Sequence, residues 1–238
     1  MKNKIKYILI ILGSLLLCFI GFAIYYVNDY YKATNEVNEY LKSNEKVKVD
    51  KKDGIYIFDG KGEENAIIFY QGGKVDNIAY APLLYKLAEN GIDCFLVDMP
   101  FKLAIFGINK ADSVINKYNY NNWYIMGHSL GGTAASMYAS NHTDKIKGLI
   151  LLAAYPTNKI DEKISVLSIY GSLDGVLNME KYNSNKNNLI NLKEIIIEGG
   201  NHAYFGYYGE QNGDNKAIIT REKQQDETYN EIINFIKN

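Results

Sequence analysis

The sequence predicts an α/β protein with a doubly wound, mostly parallel sheet that is covered by helices on both faces. Short apolar runs rich in β-branched residues alternate with helix-like segments from residue 55 onward. These runs are apolar at consecutive positions, which is typical of strands buried on both faces of a parallel sheet. Because crossovers between parallel strands are right-handed, the alternation favours a doubly wound layer. The 238 residues provide one such domain of ordinary size.

The strands and helices follow one another regularly along the chain. Strands are predicted at residues 55–58, 66–70, 94–98, 123–126, 148–153, 166–170 and 193–197. Helices are predicted at about residues 76–90, 104–118, 130–141 and 221–237. Since chemistry in this fold class lies at the carboxyl ends of the strands, the residues that follow each strand are the candidates for a site.

Composition narrows the classes of function. The net charge of −1 gives no basic field that would attract nucleic acid, so no nucleic-acid partner is expected. The two cysteines, Cys18 and Cys94, lie in different apolar runs, which argues against a disulfide and against a zinc cluster. We therefore expect no metal and no cofactor.

The N-terminal segment predicts a membrane span. Residues 7–27 carry no charged side chain and, as a helix, would extend roughly 32 Å, close to the thickness of a bilayer's hydrocarbon core. Lys2, Lys4 and Lys6 precede the run and Asp29 follows it, so the positive-inside rule predicts a cytoplasmic N-terminus and an extracellular domain. A cleaved signal peptide is the alternative, although the sequence GFAIYYVND offers no clean small-x-small cleavage site.

These features predict three parts: a membrane anchor at residues 1–29, a polar stalk with a short helix at 30–52, and the α/β domain at 53–238. Within the stalk, Val37, Tyr40 and Leu41 are spaced as on one helical face.

Ser129 follows the predicted strand WYIM and precedes a predicted helix. Gly127 and Gly131 flank it at two positions before and two after, as a tight strand-to-helix turn requires. The alternative is a glycine turn that happens to contain a solvent-facing serine. Because the string stands between a strand and a helix, we interpret Ser129 as a nucleophile.

A serine hydroxyl needs a base within hydrogen-bonding reach. The chain has three histidines. His128 adjoins Ser129, so its side chain projects away at a sharp turn, and His142 lies roughly 18 Å further along the predicted helix. His202 follows the last strand, in GGNHAYFG, and is the candidate that can reach Ser129.

The base in turn needs an acid that orients it. Asp174 follows the strand before His202, which completes the chain order Ser, Asp, His. Asp161 is the second choice for the acid, although its surroundings, NKIDEK, are typical of a solvated turn. Asp98 follows an earlier strand, at a position that usually lines a pocket rather than supplying the acid.

An oxyanion intermediate needs backbone N–H donors. Leu130, the residue after the nucleophile, is the first predicted donor. The second is expected in the loop Gln71–Lys74, with Gly73 as first choice and Lys74 as second.

The strings GHSLGG, YGSLDG and GGNHAYFG, in this order, resemble the α/β-hydrolase superfamily. More narrowly, FYQGGKVDNIAYAPLLYKLAENGIDCFLVDMPFKLAIF and NHAYFGYYGEQNGD resemble a compact bacterial group labelled dienelactone-hydrolase-like or carboxymethylenebutenolidase-like. The resemblance implies the α/β-hydrolase fold, with Ser129 as nucleophile, Asp174 as acid and His202 as base. Two departures are expected: dienelactone hydrolases use a cysteine where this chain has serine, and the domain would lack the first strands of larger members.

The sequence therefore predicts a serine hydrolase that cleaves a carboxylic ester, thioester or lactone through an acyl-enzyme, with a small-molecule acyl substrate as its partner. An acyltransferase using the same triad is one alternative. A non-catalytic surface binding module that kept the fold is another.

Overall fold

A computed structural model describes residues 2–237 of the chain. The chain divides into two compact units, Met1–Tyr30 and Tyr31–Asn238. The first contains the long helix α1 (Lys2–Asn28). The second contains a sheet and the helices that cover it.

Within the described range, eight strands form one sheet. They are β1 (Lys48–Lys52), β2 (Ile55–Asp59), β3 (Asn65–Tyr70), β4 (Ile92–Val97), β5 (Asn122–His128), β6 (Gly148–Leu152), β7 (Ser165–Gly171) and β8 (Leu192–Ile197). The helices of the second unit are α2 (Ala81–Ala88), α3 (Ala111–Ile115), α4 (Leu130–Asn141), α5 (Met179–Asn185) and α6 (Arg221–Lys237), with short 3-10 turns between them.

The strand order is β1-β2-β4-β3-β5-β6-β7-β8. The pairings of β1 with β2 and of β2 with β4 are antiparallel, and those of the remaining neighbours are parallel. The chain leaves β3 for β4 on one side and then crosses to β5 on the other, so a topological switch point lies between β3 and β5. The predicted doubly wound, mostly parallel sheet is confirmed.

The central strands supply two hydrophobic cores, one on each face of the sheet. In β3, Ile67 and Phe69 face one core, while Ile68 and Tyr70 face the other, because successive side chains of a strand point to opposite faces. Residues of α2 and α6 pack into the first core, and residues of α4 pack into the second. The sheet is therefore held rigidly between two layers of helix.

The structure corrects the expected stalk at residues 30–52. Tyr31 pairs with Val75, Val37 is buried, and β1 adds an edge strand to the sheet. The domain therefore begins at Tyr31. The first strands of the sheet, which we expected to be absent from the sequence, are present. Charged side chains along β1 hide it from a hydropathy pattern, as is common for edge strands.

The first unit contains an apolar helix that is long enough to cross a membrane. The apolar stretch is Lys4–Asn28, and its most apolar part is not buried in the structure. By length and composition, it fits either a membrane anchor or a signal sequence.

Candidate active site

Ser129 lies on a sharp bend between β5 and α4. Its backbone has φ 52° and ψ −123°, in the left-handed region that residues other than glycine seldom adopt. A Cβ on Gly127 would stand 2.4 Å from the carbonyl oxygen of Gly131, and one on Gly131 would stand 2.2 Å from the carbonyl oxygen of Tyr70. The flanking glycines therefore let helix α4 approach the ends of β3 and β5 closely.

Asp174 and His202 form a buried pair. The Nδ1 atom of His202 lies 2.8 Å from Oδ2 of Asp174, and both side chains are 1% exposed. The other carboxylate oxygen of Asp174 accepts hydrogen bonds from the backbone N–H groups of Val176 (2.9 Å) and Leu177 (2.7 Å). Both oxygens of the carboxylate are thus oriented, which fixes the direction of the imidazole ring.

The far nitrogen of this imidazole, Nε2 of His202, is buried and makes no hydrogen bond within residues 2–237. His202 and Ser129 line the same cavity of about 220 Å³. The remaining walls come from Leu130, Thr133, Ala153, Ala154, Tyr155, Val176, Leu177 and Asn178. A buried ring nitrogen without a partner is costly, so a hydrogen-bonding group is expected beside it in this cavity.

The loop after β3 separates the two choices for the second oxyanion donor. The N–H of Lys74 donates to the carbonyl oxygen of Lys102 at 2.8 Å, and the N–H of Gly72 donates to Tyr80 Oη at 3.1 Å. The N–H of Lys74 is therefore already engaged in this conformation, which favours Gly73 as the second donor. Gly73 lies against Leu130, since a Cβ at Gly73 would stand 3.4 Å from Cβ of Leu130. Leu130 and Gly73, the residues first chosen from the sequence as oxyanion donors, are therefore neighbours.

His128 is fully buried beside the candidate base. Its Nδ1 lies 2.8 Å from Tyr80 Oη, and its ring centroid lies 4.5 Å from that of His202. Burial, with a smaller contribution from the neighbouring imidazole, lowers the pKa of His128 well below its ordinary value. A neutral His128 thus joins the bend at Ser129 to the loop at Gly72 through the Tyr80 hydroxyl. The sequence held no signal for Tyr80 in this position.

The other histidine and aspartate candidates from the sequence do not line the cavity of Ser129 and His202. His142 stacks on Tyr138 at the end of α4, with 4.0 Å between ring centroids. Asp161 is exposed and accepts a hydrogen bond from the N–H of Lys163, two residues on. Asp98 forms an ion pair with Lys102 at 3.0 Å. In the part of the chain that the structure describes, no group of three or more His, Cys, Asp or Glu is arranged to hold a metal ion.

The serine lies on a strained bend at the switch point of the sheet, and a buried Asp–His pair lines the same cavity. This combination is typical of the α/β-hydrolase fold class. A model of the alpha/beta hydrolase family matches residues 66–226, which is most of the chain, and the protein belongs to that family. No curated protein matches its sequence.

Several solved structures share the fold. An alpha/beta hydrolase enzyme from the metagenome of lagoon sediments at Mar Chica, Morocco, has a TM-score of 0.60 at 13% identity, covering 80% of this chain and 98% of that one. Est1E from Butyrivibrio proteoclasticus has a TM-score of 0.55 at 16% identity, covering 81% and 100%. A laboratory-evolved variant of a potato epoxide hydrolase has a TM-score of 0.59 at 12% identity, covering 82% and 99%. At these identities the likeness is one of fold.

Proposed function

We propose that the protein is a serine hydrolase that cleaves a carboxylic ester, thioester or lactone through an acyl-enzyme. The observation that carries the proposal is the buried Asp174–His202 pair, whose free Nε2 and the hydroxyl of Ser129 share one cavity. A pair of this kind can accept a proton from a serine and hold the resulting imidazolium.

In the proposed reaction, Nε2 of His202 takes the proton of Ser129 Oγ while the oxygen attacks the substrate carbonyl. The N–H groups of Leu130 and Gly73 donate to the oxyanion, and Leu130 does so from the positive end of helix α4. Collapse of the tetrahedral intermediate expels the alcohol, thiol or linked hydroxyl, which takes the proton back from His202. Water then repeats the sequence on the acyl-serine and releases the acid.

The cavity favours a small acyl group. Its volume of about 220 Å³ is below the roughly 300–1,000 Å³ of pockets that hold drug-sized ligands. Five of its ten lining residues are aliphatic, namely Leu130, Ala153, Ala154, Val176 and Leu177. A short, unbranched acyl chain fits these walls better than a charged or bulky one. Membership of the dienelactone-hydrolase-like group is part of the same proposal and rests on the quoted motifs.

The test is hydrolysis of a short p-nitrophenyl ester and labelling by a fluorophosphonate probe. We expect Ser129→Ala to lower kcat by at least about 10⁴-fold and to abolish labelling, because the nucleophile is removed. Ser140→Ala, which removes a hydroxyl from the same helix away from the cavity, is the matched control and should behave as wild type. Undiminished labelling of Ser129→Ala contradicts the proposal.

We further propose that the domain is held at the cell membrane by a single span, with residue 1 in the cytoplasm and the catalytic domain outside. The support is the uncharged run 7–27 within the apolar helix of the first unit and the three lysines that precede this run in sequence.

A further inference from the structure

The loop that follows Tyr208 packs against the loop that carries His202. The N–H of Ile218 donates to the carbonyl oxygen of Gly199 at 2.9 Å, and Nδ2 of Asn201 donates to the carbonyl oxygen of Asn215 at 2.8 Å. Both contacts lie within three residues before His202, so they tie the segment 215–218 to the loop that carries the candidate base.

Asp214 lies at the centre of this contact, and its carboxylate accepts four backbone hydrogen bonds. Its Oδ1 accepts from the N–H groups of Gly175 (3.0 Å), His202 (3.3 Å) and Asn215 (2.9 Å), and its Oδ2 accepts from Ala203 (2.9 Å). Hydrogen bonds to an ionised acceptor are about twice as strong as neutral ones. The carboxylate thus bridges two loops that belong to different strands.

These two loops are the ones that must be kept in register. Gly175 directly follows Asp174 in the loop after β7, while His202 stands in the loop after β8. Before Asp174 and His202, the loops are joined by the N–H of Leu173, which donates to the carbonyl oxygen of Gly200 at 2.9 Å, and by the N–H of Gly199, which donates to Ser172 Oγ at 2.8 Å. The bond from His202 Nδ1 to Asp174 Oδ2 lies further along both loops, and it is useful only if the two backbones stay at a constant separation there. Asp214 extends the constraint to this part of the backbone, because it bonds the residue next to Asp174 and His202 itself.

A second observation shows how closely the loops meet. A Cβ added at Gly175 would stand 2.7 Å from the carbonyl oxygen of Gly213 and 2.9 Å from the backbone nitrogen of Asn215. Both of these atoms are backbone, so they have little freedom to move away. Only glycine at position 175 allows the backbone around Asp214 to pack this closely against the loop after β7.

We infer that Asp214 is a positioning residue, which clamps the backbone of the Asp174 loop to that of the His202 loop and thereby holds the imidazole in line between Asp174 and Ser129. The inference rests on the proposed function, because it assigns Asp214 a role in the same triad. Asp214 touches no reacting atom and acts through His202.

The experiment compares the full chain, in detergent, with its Asp214→Asn variant. An amide keeps the shape of the side chain but puts an NH₂ group where one oxygen stood, so at least one backbone N–H then faces a donor. We expect kcat for a short p-nitrophenyl ester to fall about 10- to 100-fold, with KM within about threefold of wild type, because the base is displaced and the acyl cavity is not. Gly175→Ala separates the same two loops from the other side and should give the same split.

A structural readout distinguishes positioning from general damage. Proton NMR of the wild type should show a low-field resonance from the Nδ1–H that His202 shares with Asp174, assigned by its loss in His202→Gln. We expect it to broaden or shift in Asp214→Asn and Gly175→Ala. Glu210→Gln, which removes an exposed carboxylate from the same loop, is the control and should leave both the resonance and kcat unchanged.

The outcomes separate the two proposals. Wild-type hydrolysis that does not depend on Ser129 overturns the proposed function, whereas the NMR comparison still reports on the clamp. A wild-type kcat in Asp214→Asn overturns the clamp. A reduced kcat with an unchanged resonance also overturns the clamp. The clamp is overturned as well by a variant with a lowered Tm whose folded fraction keeps the wild-type kcat and resonance.

Discussion

Two imidazoles lie side by side in this site, and their partners give them different properties. His202 faces the carboxylate of Asp174, which stabilises a positive charge on its ring. His128 faces the hydroxyl of Tyr80, which offers no charge. With ring centroids 4.5 Å apart and both rings buried, a second positive charge would be strongly opposed. The ring at position 128 therefore stays neutral beside the candidate base.

This arrangement predicts that the protein loses stability in mild acid. The pKa of His128 is lowered in the folded state, so below about pH 6.5 the unfolded chain binds a proton that the folded chain does not. We expect this residue to reduce the free energy of unfolding by up to about 1.4 kcal/mol per pH unit below that point, and to have no such effect above it. Urea unfolding at pH 7.5, 6.5 and 5.5 measures the slope.

His128→Gln should make the dependence on pH shallower by that amount, whatever it costs in packing at pH 7.5. Tyr80→Phe is the matched control, because it removes the hydrogen-bond partner and keeps the ionisable ring. Its stability should be lower at every pH, with the steeper slope retained. Parallel curves for wild type and His128→Gln would refute the assignment of the slope to this histidine.

At the scale of elements, the bend between β5 and α4 sets the geometry of the site. Helix α4 begins directly after Ser129, and its first turn runs against the end of β3. Alanine is normally the better helix former, by about 1 kcal/mol relative to glycine. At position 131 this preference is reversed, because a Cβ there would stand 2.2 Å from the carbonyl oxygen of Tyr70.

We therefore expect Gly131→Ala to destabilise the protein by about 3 kcal/mol, at the upper end of overpacking costs, and to lower kcat by pushing Ser129 away from His202. Chemical denaturation and ester hydrolysis measure the two effects. Ser140→Ala, a substitution to the same residue in the last turn of α4, should change stability by less than about 0.5 kcal/mol. A Gly131→Ala variant as stable as wild type would show that α4 can move away without cost.

The sequence predicted the elements that have strong patterns and missed those that have none. The bounds of α4 and α6 agree with the predicted 130–141 and 221–237. Strand β1 was missed because its charges break the apolar pattern, and α5 because MEKYNSN has no apolar stripe.

The candidate site divides in the same way. Ser129, Asp174 and His202 were predicted because each follows a strand, and parallel strands end at one edge of the sheet. The contacts of Tyr80 and Asp214 were not predictable, since they join separate segments of the chain through side-chain hydrogen bonds. Their roles depend on loop conformations that no local pattern encodes.

At the scale of the whole molecule, the two units have opposite solvent preferences. The domain from Tyr31 onward buries its own cores and carries all three residues of the proposed triad. Helix α1 exposes large apolar side chains along its length, Leu9, Leu16 and Phe19 among them. Such a surface is stable in hydrocarbon and unstable in water.

We accordingly expect the full chain to sediment with membranes and to remain there after alkaline carbonate extraction. A chain that starts with Met followed by Tyr31 is the matched control, and it should be soluble with an unchanged kcat, because the triad and its supports all lie beyond residue 30. If the three lysines before the span set its direction, protease added to intact cells should digest the domain of the full chain. Recovery of a soluble wild-type protein whose intact mass lacks the first unit would instead identify α1 as a cleaved signal peptide.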